Sequence, residues 1–290
     1  MYKYLWSVLL LSTISLPLLS QKISGHPRFS QGKTLTIRAE IKNTIAQQAG
    51  GQAIDFSVNG MVAHAYTVTN TTDETTTLHH KLQRLSFEFD GMGQEKSFDS
   101  DNPKDRQGPL GKQFDEILGK QYDIIIDSSG KTLMTIPEKI ELSKEDERMV
   151  IITNMLKDLT NTVDPPKKGN ASFFSVLPAR EISVGDSWTE TVDTDTEQST
   201  TINTLAAITD SVITVTFKTK ATLVIHSQMM GVEAKTNLEN MTTGFILLDR
   251  ATGIIREKSS TTDSNGSTEA MGTLMPMTGK TTTRITVQQN

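Results

Sequence analysis

The feature that most constrains this chain is the alternation of apolar and polar residues at every second position. Leu35, Ile37, Ala39 and Ile41 alternate with polar residues, and the longest such run extends over 213–225. This spacing places the apolar side chains on one face of a pleated strand. Because consecutive strands are separated by short turn-forming segments, the sequence predicts an antiparallel meander.

The same alternation predicts further short strands, and two local features of the sequence indicate where these strands turn or bulge. Asn59-Gly60 favours a tight hairpin turn, although it also fits a bend within one long strand. The change of parity between Leu82 and Leu85 predicts a β-bulge, because one extra residue is needed to keep both on the same face. The final strand is predicted over 281–287.

The period changes to that of a helix in the middle of the chain. Apolar residues at helical spacing predict one helix over 110–118 and a second over 143–159, with a hairpin over 122–133 between them. The stretch 163–170 contains Pro165-Pro166 and is predicted to be a loop.

Together these elements predict a mainly β fold of the α+β class. We expect a curved antiparallel sheet or a partly open barrel of roughly ten strands, with the two helices covering its concave face. Residues 21–290 are expected to form a single β-rich domain. A division into two subdomains near 163–171 is the alternative.

The N-terminus predicts export. Residues 1–20 contain a short apolar stretch that ends at Ser20 and is typical of a cleaved signal peptide, and it is too short and too often interrupted for a transmembrane span. Cysteine is absent, so the chain has no disulfides and no thiolate chemistry. An exported chain without disulfides favours a bacterial periplasmic or extracellular location.

Three short motifs carry a resemblance to a known family. They are residues 98–103 (FDSDNP), 184–188 (VGDSW) and 249–253 (DRATG). This combination resembles an uncharacterised family of exported bacterial proteins, a domain of unknown function, and the resemblance implies no established activity. The overall organisation is also similar, more loosely, to the periplasmic lipoprotein-carrier fold, whose half-barrel holds acyl chains.

No catalytic, cofactor-binding or metal-binding residue is predicted, and no cofactor is expected. His79 and His80 are adjacent and point to opposite faces of a strand, so they do not chelate one ion. His64 and His80 could meet if their strands pair and so form a cross-strand metal site, but we favour packed or solvated strand histidines. Asp99, Asp101 and Asp105 resemble a calcium loop only superficially, and we expect Asx turns there.

Two other features have both a structural and a functional interpretation. Trp188 is expected to pack against the sheet, with sugar stacking as the alternative. The C-terminal half is rich in methionine, which either fills an irregular core or lines an adaptable hydrophobic groove. The methionines are Met229, Met230, Met241, Met271, Met275 and Met277.

Composition and motifs leave two main hypotheses. A net charge of −5 argues against nucleic acid as a partner. The first hypothesis is a non-catalytic binding or carrier module for a lipid, another hydrophobic ligand or a partner segment. The second is a structural or assembly protein that binds an envelope protein through exposed strand edges. A hydrolase is disfavoured because no nucleophile-and-base motif is present.

Overall fold

A computed structural model of the protein describes residues 22–49, 51–91, 93–136, 166–229 and 232–290. These residues form twelve strands and two short helices. The strands are β1 (Thr34–Ala49), β2 (Gln52–Thr71), β3 (Thr75–Gly91), β4 (Gln94–Asp99), β5 (Gln121–Asp127), β6 (Thr132–Ile136), β7 (Ser187–Asp193), β8 (Glu197–Ile208), β9 (Val212–Met229), β10 (Val232–Asp249), β11 (Ile255–Ala270) and β12 (Thr273–Gln289). The helices are α1 (Pro103–Gln107) and α2 (Pro109–Leu118).

All twelve strands belong to one antiparallel sheet that does not close into a barrel. The strand order is β6-β5-β3-β2-β1-β12-β11-β10-β9-β8-β7, and β4 pairs with the C-terminal part of β3. The N-terminal half of the chain forms one side of the sheet and the C-terminal half forms the other. They are joined by β1 and β12, which pair from Leu35–Gln289 to Gln47–Met277. The predicted mainly β, antiparallel fold is therefore confirmed.

The structure decides one open alternative and confirms two local predictions. β2 runs through Asn59-Gly60 without a break, so this dipeptide is not a hairpin turn. Ala63 pairs with Arg84 and His64 pairs with Leu82, which leaves Gln83 as the extra residue of the predicted bulge. β5 and β6 form the predicted hairpin, whose turn is closed by Asp127. The second predicted helix, over 143–159, lies outside the described residues.

One face of the sheet, which we call the inner face, carries the apolar core. In β1 it includes Leu35, Ile37, Ala39 and Ile41, which are all buried. A first cluster covers the inner face of β1–β5, where Phe114 of α2 packs against Phe87 and Phe98. A second cluster is formed by buried apolar residues of β8–β11 together with Leu177 and Ile182. Phe173 and Val287 pack against both clusters.

Two of the family motifs form turns that are closed by an aspartate. Asp186 accepts a hydrogen bond from the Ser183 amide at 2.9 Å, next to Gly185, whose φ of +96° favours glycine. In the turn between β10 and β11, Asp249 accepts hydrogen bonds from the Thr252 amide and hydroxyl and pairs with Arg256. These carboxylates fix the turns that precede β7 and β11.

We expect Asp249→Ala to lower the free energy of unfolding by about 1–3 kcal/mol, because it leaves the turn amide and Arg256 without their acceptor. Urea unfolding of the purified protein measures this. Asp263→Ala is the matched control, because Asp263 is exposed in β11 and its ion pair with Lys280 is long, at 3.8 Å. Its effect should stay within about 0.5 kcal/mol. Equal losses in the two variants would contradict the structural role of Asp249.

Candidate functional site

The two histidines that could meet if their strands pair are in direct contact. His64 of β2 and His80 of β3 lie on the inner face, with His64 Nδ1 2.9 Å from His80 Nε2. His80 stacks on Tyr122 at 4.2 Å between ring centroids, and the Tyr66 and Tyr122 hydroxyls are 3.5 Å apart. Phe174 closes the group with an edge contact to Tyr66. His79 points to the opposite face, as predicted, and bonds Asp123.

This group is built as a packed core rather than as a metal centre. Within the described residues no set of three or more histidine, aspartate or glutamate side chains converges on one point. Burial lowers the pKa of His64 to about 4. Burial, and then the nearby His64 and His79, lower the pKa of His80 to about 3. Both rings are therefore neutral near pH 7, and the direct bond between their ring nitrogens is the contact expected of packed histidines.

The aspartates that resemble a calcium loop serve the backbone and one arginine. Asp99 accepts the Asp101 amide in the expected Asx geometry, and Asp105 accepts the Asp99 amide. Arg84 forms a bidentate ion pair with Asp99 and also contacts Asp101. The hydrogen bond from Arg84 is the main reason that the pKa of Asp99 is lowered. The cluster joins β3 to the start of α1.

Three clefts lie among the described residues, and all three are open to solvent. Their volumes are about 470, 570 and 430 Å³, and polar or charged residues line each of them. The first surrounds the turn at Arg250, and the second is lined by residues such as Glu233 and Lys235 on the opposite, outer face. None of these three clefts is an enclosed apolar pocket of the kind that holds a compact hydrophobic ligand.

The inner face of β1 and β9–β12 differs sharply from the outer face. Charged residues occupy the outer positions of these strands: Arg38, Glu40, Lys42, Lys218, Lys220, Glu233, Lys235, Glu239, Glu257, Asp263, Glu269, Lys280 and Arg284. Among the described inner positions of these five strands, Lys258 is the single charged residue. Charged side chains favour water, so their segregation marks the inner face as a surface of different polarity.

Beyond the apolar clusters, small and hydroxyl-bearing residues cover the inner face. Three threonine pairs bond each other across neighbouring strands at 2.8 Å: Thr201–Thr219, Thr236–Thr268 and Thr242–Thr262. In each pair one hydroxyl donates to the other, which lowers the cost of covering the pair with an apolar partner but leaves the proton of the second hydroxyl free to bond elsewhere. Met275 and Met277 add flexible apolar side chains on the same face.

Trp188 of β7 also lies on this face, and its position agrees with the packing interpretation. It is half-buried and packs against the second cluster. Its indole Nε1 and the side-chain oxygen of Asn240 are buried without a hydrogen-bond partner among the described residues. The donor of Trp188 and the acceptor of Asn240 therefore lie on the same inner face as Lys258. Sequence reasoning missed this surface, since it depends on register across strands that lie far apart in the chain.

The histidine pair predicts a pH-dependent stability. Both folded pKa values lie below the unfolded value near 6.5, so the unfolded chain binds more protons in acid and stability falls as pH decreases below about 6.5. Between pH 7.5 and pH 5 we expect a loss of roughly 2 kcal/mol for each histidine. Urea unfolding across this range measures it.

The double variant His64→Leu/His80→Phe is the control, because it keeps the carboxylates that titrate at lower pH. Its stability should fall by clearly less than that of the unmodified protein between pH 7.5 and pH 5. An identical pH profile would show that the histidines do not cause the loss.

Comparisons with solved structures give weak similarities only. Lipovitellin, reported with its lipid–protein interactions, is 8% identical with a TM-score of 0.47, and the match covers 91% of this chain and 26% of that one. An outer membrane channel from Pseudomonas putida F1 is 8% identical with a TM-score of 0.26, covering 91% and 98%. The chain thus spans about a quarter of the lipovitellin chain. These scores are too low to assign a ligand.

The search of curated proteins, the helices and a family model complete the comparison. No curated protein matches the chain. In the described part, no helix has the length and apolar content that crossing a membrane requires. A family sequence model, in contrast, matches residues 73–255, a range that includes the three motifs at 98–103, 184–188 and 249–253. The chain therefore belongs to a family of unknown function, DUF6263.

Proposed function

We propose that this protein is an exported, non-catalytic binding or carrier module that holds a hydrophobic ligand along the inner face of its sheet. The observation that carries the proposal is the separation of charge between the two faces of β1 and β9–β12. A surface that faces only water gains charged residues at little cost, whereas a surface that contacts an apolar partner excludes them. The outer face follows the first pattern and the inner face the second.

The dimensions of this surface favour an extended ligand. Five adjacent strands at about 4.8 Å spacing span roughly 20 Å, and twelve residues along β9 at about 3.3 Å each span roughly 40 Å. The surface is continuous with the apolar clusters at one end and carries the threonine pairs further along. A long acyl chain or an extended apolar segment fits such a strip better than a compact small molecule does.

Export is part of the proposal and rests on residues 1–20. An apolar stretch followed by a small residue at the cleavage position is typical of a signal peptide. In the bacterial periplasm or outside the cell, a lipid must be shielded from water while it moves between membranes. A sheet face on which Lys258 is the single charged residue among the described inner positions would provide that shielding along most of its length.

The direct test is to express residues 21–290 in a bacterial host and to analyse the purified protein for bound lipid by mass spectrometry. The proposal expects lipid in stoichiometric or near-stoichiometric amount. A protein that is lipid-free after gentle purification, and that takes up no lipid from added micelles, would contradict it.

A matched pair of variants locates the surface. Thr242 lies on the inner face and is half-buried, while the next residue, Thr243, lies on the outer face and is exposed. We expect Thr242→Asp to lower the bound lipid at least tenfold, because a carboxylate there must lose its hydration against an apolar chain. Thr243→Asp should leave lipid binding unchanged.

Thr242→Val separates this effect from loss of the hydrogen bond to Thr262. It removes the hydroxyl but keeps the shape, so it should bind lipid as well as the unmodified protein does. Urea unfolding of all three variants shows whether they are folded. Equal lipid content in Thr242→Asp and Thr243→Asp would rule out the inner face as the binding surface.

A second candidate function is supported by the exposed edge of the sheet. β7 is bonded to β8 on one side only, and six of its seven residues are exposed. The apolar residues Val192 and Ile202 are 45% and 50% exposed at this edge. An envelope protein could add a strand there, as an assembly partner. Pull-down from an envelope extract distinguishes the candidates, because this one predicts a bound protein and the carrier predicts a lipid.

A further inference from the structure

Lys258 occupies a position on the inner face at which the neighbouring strands carry apolar residues. Across eight strands its register neighbours form a single row, which we call the apolar row. Apart from Lys258, the members are all buried: Leu205, Val215, Ile246, Ile285, Ala39, Val62 and Leu85. Lys258 lies directly between Ile246 and Ile285. A lysine in such a row loses hydration, and this loss is costly unless an anion compensates the positive charge.

No carboxylate of the described residues lies within ion-pair distance of the Lys258 ammonium. Its close neighbour is the ring of Phe217, whose centroid is 5.3 Å from Nζ. Burial lowers the pKa of Lys258, and the charge of Glu190 on β7 opposes this shift from a distance. Among the described residues, therefore, little compensates the charge of the ammonium.

Gly244 explains how this arrangement is built. A Cβ at Gly244 would lie 2.6 Å from Cζ of Phe217, so only glycine leaves room for the ring to lie across β10. The ring thereby reaches from β9 to the lysine on β11. A cation over an aromatic face is held in place without being neutralised, because the ring carries no net charge.

We propose that Lys258 binds the anionic head group, a carboxylate or a phosphate, of an amphiphile whose apolar chain lies along the inner face. This inference rests on the proposed function and adds the chemical class of the ligand. The charge-free strip suits the chain, and the single cation at its boundary with the second apolar cluster suits the head group. A charge-assisted hydrogen bond in such partly dry surroundings favours the anionic ligand about tenfold or more over an uncharged analogue.

The alternative is a structural lysine whose charge is balanced at long range by Glu190. In that case Lys258 would support folding, and substitution would weaken the binding of charged and uncharged ligands alike. The two roles differ in their effect on head-group preference, so a comparison of paired ligands separates them.

The experiment measures displacement of an uncharged fluorescent probe, N-phenyl-1-naphthylamine, from residues 21–290. Two ligand pairs are used: oleate with methyl oleate, and oleoyl lysophosphatidate with monoolein. For the unmodified protein we expect at least one anionic ligand to bind about tenfold or more tightly than its uncharged partner. The pair with the larger ratio identifies carboxylate or phosphate as the preferred head group.

Lys258→Met keeps the length and apolar stem of the side chain and should reduce the preferred ratio to about one, with the uncharged ligands unaffected. Lys258→Arg should retain the preference. Glu190→Gln should keep or increase anion affinity, because it removes a competing charge. Lys220→Met, on the outer face of β9, is the matched control and should change neither ligand of a pair.

The outcomes separate this inference from the proposed function. If the unmodified protein binds the anionic and uncharged ligands equally well, or if Lys258→Met weakens both alike, the head-group role is wrong while the hydrophobic surface stands. If the unmodified protein binds neither the probe nor any of the four ligands, both the surface and the role of Lys258 are wrong.

Discussion

The structure depends on the pairing of β1 with β12. These strands are separated by more than 200 residues of chain, yet they exchange a continuous ladder from Leu35 to Gln47. The amide and carbonyl of Thr34 bond those of Asn290 at the end of the same ladder. Without this pairing the chain would form two separate sheets, each with an additional exposed edge. With it, the inner faces of the two halves become one surface.

This pairing also sets the register on which the inner face depends. A shift of one residue in an antiparallel ladder moves every side chain of a strand to the other face. Ile37 and Ala39 are opposite Val287 and Ile285, so the apolar pattern of β1 locks β12, and β12 in turn positions β11. The Ser- and Thr-rich β11 has little apolar pattern of its own. Its face, and with it the inward direction of Lys258, is imposed by its neighbours.

This dependence explains which parts could be predicted from the sequence. Strands with regular apolar alternation, such as β1 and β9, and the bulge at Gln83 follow from local spacing, because burial of one face requires it. The contact between His64 and His80 was expected once β2 and β3 were assumed to pair. In contrast, β11 (Ile255–Ala270) contains almost no apolar residues, so its strand character and its orientation come from tertiary pairing.

The surface proposed to bind ligand was hidden from sequence reasoning for the same reason. Lys258 follows Arg256 and Glu257 in the chain and looks like one charge among several. Only the ladder shows that Glu257 faces outward to Arg284 while Lys258 faces inward between two isoleucines. Likewise, the threonines of the inner and outer faces are indistinguishable until the cross-strand hydroxyl pairs are seen.

The motifs that identify the family and the residues that carry the proposed function are different sets. Asp99, Asp186 and Asp249 all accept backbone amides in turns, so each motif specifies how a strand or helix begins. Such residues are constrained by backbone geometry, whatever the sheet binds. A ligand on an open face contacts side chains whose identity depends on its own chemistry. Lys258 itself lies just beyond the matched residues 73–255. The proposed binding therefore depends on the side chains of the inner face rather than on the motifs, because a fold alone does not determine what a surface binds.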